Sequence, residues 1–404
     1  MRKYMKKIVM GLLIGSMLLG CGDSTNPKDD VSASVDGDED KDENVDSTQE
    51  PTSELTQEPT QEPNQNVNNG ESSDNNGLDI QLPSQGELIA DYTSVEGLTL
   101  EAGSHIAVVV KSTQIEYWQA VKEGMQQAID DLNESLGYTG NDKIYMTYEG
   151  PKVDNSVDQQ VNILDAVVSE NPDVICLAAI DMNSCMAQVE SANQNGIPVI
   201  ILDSGLSTEE LIYSNCSTDN YSAGKEAARR LCESIGGEGQ VAVLAHLQLS
   251  ETSVNRLDGF LDEVAANYPN VEIVNVSYEQ ADDLSLLEEQ MKAVLTLYPN
   301  LKGYFCTNQV VSEVALDVLE EDEYAEWELS LVGFDMGEEQ LEAIRDGRQT
   351  GTVCQNPYGM GYATVVAGVR AAMGLENDKS IDAGFQWLDQ TNIDLEENAR
   401  YLYE

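Results

Sequence analysis

The sequence predicts an α/β protein in which parallel sheets are covered by helices on both faces. Six apolar runs of four to six residues are typical of buried parallel strands; they span residues 106–110, 174–179, 199–202, 241–244, 303–306 and 329–332. Helical patterns alternate with these runs, and this alternation requires right-handed crossovers between parallel strands. Roughly ten rounds of strand and helix exceed one ordinary sheet, so we expect two lobes with a sheet each.

The first predicted helix follows the first strand. Apolar residues recur at steps of three and four from Ile115 to Leu136, which is the spacing of one buried helix face. The preceding Thr113-x-x-Glu116 has the pattern of a capping box, so Thr113 is expected to cap the start of the helix.

The N-terminus has the pattern of a lipoprotein export signal. Four basic residues within the first seven positions precede a largely apolar run of twelve residues, 8–19. This run is too short to cross a bilayer, which takes about twenty residues, but it suits a secretion signal. It ends at Leu18-Leu19-Gly20-Cys21, which resembles the bacterial lipobox. Residues 1–21 are therefore predicted to be a lipoprotein signal peptide with Cys21 as the lipidation site; a single-pass membrane anchor is the alternative.

Residues 22–86 are predicted to form a disordered acidic tether. Residues 22–80 contain seventeen acidic residues and two lysines, no aromatic residue, and three copies of Thr-Gln-Glu-Pro. A segment so poor in apolar side chains cannot offset the conformational entropy lost on folding. We expect a spacer that holds a globular domain, residues 87–404, at the extracytoplasmic face of the cell membrane, on the cell surface or in the periplasm.

The globular part is strongly acidic. From residue 81 onward, 56 Asp and Glu stand against 15 Lys and Arg, which argues against nucleic acid as a partner. The six cysteines besides Cys21 lack the spacing of a zinc site. We expect buried free thiols, with disulfides as the alternative in an exported chain, and neither a metal nor a cofactor.

Polar side chains follow five of the predicted strands. They are Asp181, Asp203, Asn308, Asp335 and Gln355. In open α/β sheets, ligands bind at the carboxyl ends of the strands. Each residue alone could instead cap the next helix, but together their carboxylates and amides suit a hydroxyl-rich ligand.

A series of motifs extends over the whole globular part. In chain order they are Tyr117-Trp118-x-x-Val121-Lys122-x-Gly124, Gln160-x-x-Ile163-Leu164, Pro172-Asp173-Val174-Ile175, Gly196-Ile197-Pro198-Val199-Ile200-x-x-Asp203, Thr218-Asp219-Asn220-Tyr221-x-Ala223-Gly224-Lys225, Arg256-x-x-Gly259-Phe260, Thr307-Asn308, Val332-Gly333-Phe334-Asp335 and Val353-Cys354-Gln355-Asn356-Pro357. With these motifs the chain resembles the type 1 periplasmic binding proteins of sugar ABC transporters, the group of the ribose-, galactose- and xylose-binding proteins.

The resemblance implies two Rossmann-like lobes joined by a three-strand hinge. Lobe 1 would contain about 104–217 and 356–381, and lobe 2 about 218–355 and 382–404. The lobes would close on one monosaccharide-like ligand or related polyol, and an ABC transporter permease would be the partner.

The resemblance also assigns the ligand contacts. Asp203 would accept two sugar hydroxyls, and Arg256 would hold two oxygens with its guanidinium. Asn308, Asp335 and Gln355 would bind hydroxyls from the second lobe.

Further contacts are assigned by the same match. Tyr117 or Trp118 would stack on the sugar ring; Trp118 also lies on the apolar stripe of its helix, which would leave the stacking to Tyr117. The family usually has an asparagine in the loop before this aromatic pair; Lys111, Ser112, Thr113 and Gln114 stand there instead, and Ser112 is assigned as the contact. Asp181 is a further assignment, and Asn220 is either a contact or a helix cap.

The predicted function is therefore capture of a sugar and its delivery to a permease. An enzyme is disfavoured because the chain has no Gly-x-Ser-x-Gly, His-Glu-x-x-His or phosphate-cradling glycine motif, and neither His105 nor His246 lies at the end of a predicted strand. A regulator of the lactose-repressor type would share the lobes, but an export signal occupies the place of its DNA-binding domain. A sensory protein that presents its ligand to a receptor kinase or chemoreceptor stays open as the alternative.

Overall fold

The computed structural model describes residues 82, 88–153, 155–279, 284–324 and 327–403, all within one compact unit, residues 74–404. The predicted signal peptide, the lipidation site Cys21 and all of the predicted tether except Leu82 lie outside the described residues. No helix in the described ranges combines the length and apolar character needed to cross a membrane.

The strands form two six-stranded sheets in the described part of the chain. They are β1 (His105–Val109), β2 (Tyr145–Glu149), β3 (Val174–Leu177), β4 (Val199–Leu202), β5 (Ser214–Ser217), β6 (Glu238–Ala245), β7 (Asn270–Tyr278), β8 (Leu301–Cys306), β9 (Ser330–Phe334), β10 (Gly351–Gln355), β11 (Ser380–Asp382) and β12 (Phe385–Leu388). The sheet orders are β11-β5-β4-β3-β1-β2 and β12-β10-β9-β8-β6-β7.

Helices alternate with these strands. They are α1 (Glu116–Leu136), α2 (Val157–Glu170), α3 (Met186–Gln194), α4 (Asn220–Ser234), α5 (Glu251–Asn267), α6 (Leu284–Leu297), α7 (Gln309–Leu319), α8 (Glu338–Asp346) and α9 (Pro357–Ala372), with short 3₁₀ helices at Gly140–Asp142 and Glu396–Tyr401. Apart from β12, which runs antiparallel to β10, the paired strands are parallel. The predicted α/β class with parallel sheets in two lobes is confirmed.

We call the first sheet with α1, α2, α3 and α9 lobe 1, and the second sheet with α4 to α8 lobe 2. Within the described residues the chain passes between the sheets after β5, after β10 and between β11 and β12. Because β4 and β9 hold the same place in the two sheet orders, the residues that follow them are equivalent.

Two pairs of helices cross at glycines. In lobe 1, a Cβ added at Gly124 of α1 would overlap the carbonyl oxygen of Tyr358 in α9. In lobe 2, a Cβ added at Gly224 of α4 would overlap the carbonyl oxygen of Arg256 in α5. The absent side chains let each pair of helices approach closely enough to bury the face beneath them.

A segment ahead of β1 belongs to the core of lobe 1. Tyr92, Val95 and Leu98 are buried there together with residues of α1 and α9. The Tyr92 hydroxyl donates to Asp378 Oδ2 at 3.0 Å and accepts from the Asp378 backbone N–H at 2.7 Å. Since Asp378 lies just before β11, this segment also fixes the start of a strand at a crossing between the lobes.

The start of α1 differs from the prediction. The helix begins at Glu116 with Ile115 at its N-cap, and no side chain caps it, so the predicted capping box at Thr113 is wrong. The reason is a local turn, because the backbone N–H of Gln114 donates to Ser112 Oγ at 3.0 Å and takes the loop away from helical geometry.

The cysteines follow the expectation of buried thiols. Six are free and buried among the described residues: Cys176, Cys185, Cys216, Cys232, Cys306 and Cys354. Burial raises the pKa of the thiol at Cys176 and at Cys354, which keeps both protonated and unreactive at neutral pH.

Candidate ligand-binding cleft

The carboxyl ends of both sheets meet at a cleft. Its cavity measures about 60 Å³, far below the roughly 300–1,000 Å³ of typical small-molecule sites, so the two lobes lie close together here. Eight of the ten predicted site residues line it: Ser112, Tyr117, Trp118, Asp203, Arg256, Asn308, Asp335 and Gln355. Lys111, Asn155, His246, Thr252 and Gln309 are among the further lining residues.

Lobe 1 contributes the carboxylate of Asp203. This residue follows β4 directly and has a left-handed backbone, φ 64°. Its Oδ1 accepts from the Tyr117 hydroxyl at 2.7 Å, and its Oδ2 lies 3.1 Å from Lys111 Nζ. Burial, and then the charge of Asp203, raise the pKa of Tyr117 well above its usual value, so the phenol stays protonated and keeps donating.

Lobe 2 contributes the equivalent carboxylate, Asp335. It follows β9 directly and also has φ 64°. Its Oδ1 accepts from Gln355 Nε2 at 2.7 Å, and its Oδ2 accepts from the Gln309 backbone N–H at 3.3 Å. Burial raises the pKa of Asp335, and the charge of Arg256 opposes that rise. A non-glycine residue with this backbone costs about 1–3 kcal/mol, which suits a position held for function.

Arg256 is the buried cation of lobe 2. Only 2% of it is exposed, although it lies near the start of α5. Its Nε donates to Asn220 Oδ1 at 2.8 Å and its Nη1 to the Thr307 carbonyl oxygen at 2.7 Å, while Nη1 lies 3.8 Å from Asp335 Oδ2. The guanidinium also covers the ring of Phe334, 3.6 Å from its centre.

Asn220 and Asp181 do not line the cleft. Asn220 instead orients Arg256, and the cap of α4 is Asp219, whose side chain accepts from the Ser222 backbone N–H. Asp181 was expected to follow a strand, but β3 ends at Leu177 and the apolar run continues past it. The Asp181 side chain closes a turn by accepting from the backbone N–H groups of Asn183 and Ser184 at 2.7 and 3.0 Å.

The aromatic pair lies at the cleft in lobe 1. Tyr117 and Trp118 are each 4% exposed, and their rings meet edge to face with centres 5.0 Å apart. Tyr403, near the C-terminus, also packs edge-on against Tyr117 at 5.8 Å. Asn308, which lines the same cleft from lobe 2, caps α7 by accepting from the Val311 backbone N–H at 3.0 Å.

Two lining residues with ionisable groups were not assigned as ligand contacts from the sequence. His246 directly follows β6, which is longer than its apolar run, so the expectation that neither histidine follows a strand is wrong. Its ring lies between Thr307 Oγ1, at 2.7 Å from Nδ1, and Thr252 Oγ1, at 3.0 Å from Nε2. Burial, and then the charges of Arg256 and Lys111, lower the pKa of His246 well below its usual value, so the ring is neutral at physiological pH.

Lys111 is the second lining residue that was not assigned as a ligand contact from the sequence. It lies two residues beyond β1 and is 7% exposed. The signal that could have found it is a lysine immediately after a five-residue apolar run, 106–110.

In the described ranges no three His, Cys, Asp or Glu side chains are grouped so that they could hold a metal ion.

Two lobes with equivalent carboxylates on one cleft define a solute-binding protein. A family model described as "periplasmic binding protein domain" matches residues 106–376, and the chain belongs to this family. The resemblance inferred from the motifs is therefore confirmed, as is the expectation that the protein is not an enzyme.

Two curated relatives are similar over most of the globular part. The xylitol-binding protein of Mycolicibacterium smegmatis is 25% identical over 227 residues, which cover 56% of this chain and 63% of that protein. The ribose import binding protein of Escherichia coli is 26% identical over 258 residues, which cover 63% of this chain and 80% of that protein.

A solved structure agrees in fold. The solute-binding protein of an ABC transporter from Agrobacterium vitis, determined with bound D-fucose, is 29% identical, with a TM-score of 0.68, and the match covers 74% of this chain and 100% of that one. The fold is therefore that of the sugar-binding proteins of ABC transporters.

Proposed function

We propose that the protein is an extracytoplasmic lipoprotein that captures a monosaccharide or related polyol and delivers it to an ABC transporter permease. The observation that carries this proposal is the pair of equivalent aspartates, Asp203 and Asp335, which approach one cavity from opposite lobes. The bound D-fucose of the Agrobacterium vitis protein and the names of the xylitol- and ribose-binding relatives support the same ligand class.

The charges of the cleft suit an uncharged ligand. Lys111 and Arg256 supply one positive charge each, Asp203 and Asp335 one negative charge each, and His246 is neutral. A hydroxyl group both donates and accepts hydrogen bonds, so it can bind the carboxylates and the cations at once. The aromatic pair on lobe 1 offers an apolar surface for the C–H groups of the ligand.

Ligand contact from both lobes would drive closing. Asp203 belongs to lobe 1, whereas Arg256 and Asp335 belong to lobe 2. A ligand bound by all three interacts with both lobes only when the cleft is closed, so it shifts the population toward the closed form.

Thermal unfolding of the purified protein with a panel of pentoses, hexoses, pentitols and cyclitols tests the proposed ligand class. One or more members should stabilise the protein by about 2.7 kcal/mol at a hundredfold excess over Kd, because binding to the native state alone adds RT ln(1 + [L]/Kd). Asp335→Asn should abolish the shift. If no member of the panel at 10 mM, which is roughly a hundred times a 0.1 mM Kd, raises the melting temperature, the proposal of a neutral polyhydroxy ligand fails.

Uptake of the labelled ligand then tests delivery to a permease. Loss of the gene should abolish high-affinity uptake. Unchanged uptake combined with a lost transcriptional or chemotactic response to the same ligand would contradict the transport role and favour the sensory alternative.

Replacing Cys21 tests the lipid anchor. Cys21 and the rest of the predicted signal peptide lie outside the described residues, so this proposal depends on the sequence alone. Cys21→Ala should remove the acylation site and leave the protein released or unprocessed, because one thiol carries the lipid. The measurement is the membrane and soluble fractions together with the intact mass. A variant with the mass and membrane fraction of the wild type would refute lipidation at Cys21.

A further inference from the structure

Lys111 is a buried ammonium in the middle of the cleft. Its side chain is 9% exposed and lies 3.1 Å from Asp203 Oδ2, whose side chain is 5% exposed. A buried charge is tolerated only when it is paired and hydrogen-bonded. The contact with Asp203 supplies the counter-charge but uses only one of the three N–H groups of the ammonium.

The remaining partners of Lys111 belong to the other lobe. Lys111 Nζ donates to Ser250 Oγ at 3.1 Å and lies 3.5 Å from Thr252 Oγ1. Ser250, the residue before α5, is fully buried, and Thr252 is 1% exposed. The same ammonium therefore contacts both lobes.

The hydroxyl groups that face Lys111 are themselves fixed. Ser250 Oγ lies 3.0 Å from Thr252 Oγ1 and 3.2 Å from Ser204 Oγ of lobe 1. Thr252 Oγ1 lies 3.0 Å from His246 Nε2. A row of buried polar groups thus runs from Asp203 through Lys111 to the wall of lobe 2, and each member restrains the next.

Backbone contacts beside this row also join the lobes. The Met182 N–H of lobe 1 donates to the Leu249 carbonyl oxygen of lobe 2 at 3.0 Å, and the Gly205 N–H of lobe 1 donates to Glu251 Oε2 of lobe 2. All of these bonds break when the lobes separate. None of them includes a ligand atom, so they stabilise the closed form whether or not a ligand is bound.

We propose that Lys111 is a positioning residue: it orients Asp203 and, through Ser250 and Thr252, latches the lobes in the closed form without a ligand. Part of the free energy of closing then comes from the protein itself. When more of the ligand-free protein is already closed, the ligand binds more tightly. Its apparent Kd equals the Kd for the closed form divided by the fraction of the protein in that form. The effect on affinity depends on the proposed function, whereas the effect on closing does not.

Hydrogen exchange of the full-length, ligand-free protein tests the latch. Lys111→Met should speed exchange at the amides of Met182 and Gly205 about tenfold, since two hydrogen bonds from a charged group are lost across the cleft. Asn171, whose N–H donates to Val168 within lobe 1, should exchange at the wild-type rate. The matched control is Lys143→Met, at an exposed lysine of lobe 1, which should change neither cross-cleft amide.

Two further variants separate a latch from a ligand contact. Ser250→Ala leaves the Lys111–Asp203 pair intact and changes no residue that lines the cavity, yet it should speed exchange at Met182 and Gly205 by about threefold. Lys111→Arg should restore part of the protection. Wild-type exchange at both amides in Lys111→Met, or in Ser250→Ala if the former does not fold, would overturn the latch. No ligand is present in these exchange measurements, so they test the latch even if the sugar-binding proposal fails.

Discussion

Arg256→Ala should weaken ligand binding by about thirtyfold or more while the protein still folds. Truncating one partner of a buried, hydrogen-bonded charge pair costs about 2–5 kcal/mol of binding free energy. In this cleft the change removes the cation that lies 3.8 Å from Asp335 and leaves Asn220 Oδ1 and the Thr307 carbonyl oxygen without their donor. Titration calorimetry with the stabilising member of the sugar panel measures the loss.

The melting temperature of Arg256→Ala should fall as well, because Asn220 and Thr307 are both buried. The matched control is Arg345→Ala on the same lobe, where the arginine is exposed and pairs with Asp394 on the surface. An affinity within threefold of the wild type in Arg256→Ala would show that the ligand binds elsewhere.

Gly124→Ala should lower the stability of the protein. The added Cβ would meet backbone atoms of Tyr358, which cannot rotate away as a side chain can, so α1 and α9 must move apart. Forced overpacking costs about 1–3 kcal/mol and occasionally more. An overlap with backbone atoms belongs at the upper end of this range, about 3 kcal/mol. Alanine gains about 1 kcal/mol in helix propensity over glycine, so we expect a net loss of about 2 kcal/mol in the free energy of unfolding.

Urea unfolding of the ligand-free protein measures this loss. Glu123→Ala, at the exposed neighbouring position on α1, serves as the control and should leave the midpoint almost unchanged. A wild-type midpoint for Gly124→Ala would mean that the two helices are not in close contact in solution.

Much of the fold was predictable because a strand buried on both faces leaves a continuous apolar run. The starts and ends of elements were less predictable. At α1, the turn at Ser112 competes with a Thr113 cap, and the sequence alone does not rank the two. At β6, the strand continues one residue beyond the predicted run, to Ala245, and His246 therefore follows it directly.

The residues of the cleft likewise differ in how far the sequence predicts them. Asp181 and Asp203 both follow apolar runs, but only Asp203 follows its strand directly, with the left-handed backbone that also places Asp335 at the cleft. Sequence motifs identify such single positions. They could not reveal the cross-lobe contact of Lys111, since its partner Ser250 lies 139 residues away on the other lobe.

The segment that carries Tyr92 determines how a load on the N-terminal chain is distributed. Residues 88–100 are held in the core of lobe 1, and Tyr92 is bonded to Asp378 at the start of the crossing into β11. Any pull or drag that arrives from the preceding residues is therefore borne by lobe 1. Lobe 2 receives that load only by way of lobe 1, through the crossing strands and the contacts across the cleft, so its movement about the hinge is not tied directly to the N-terminal chain.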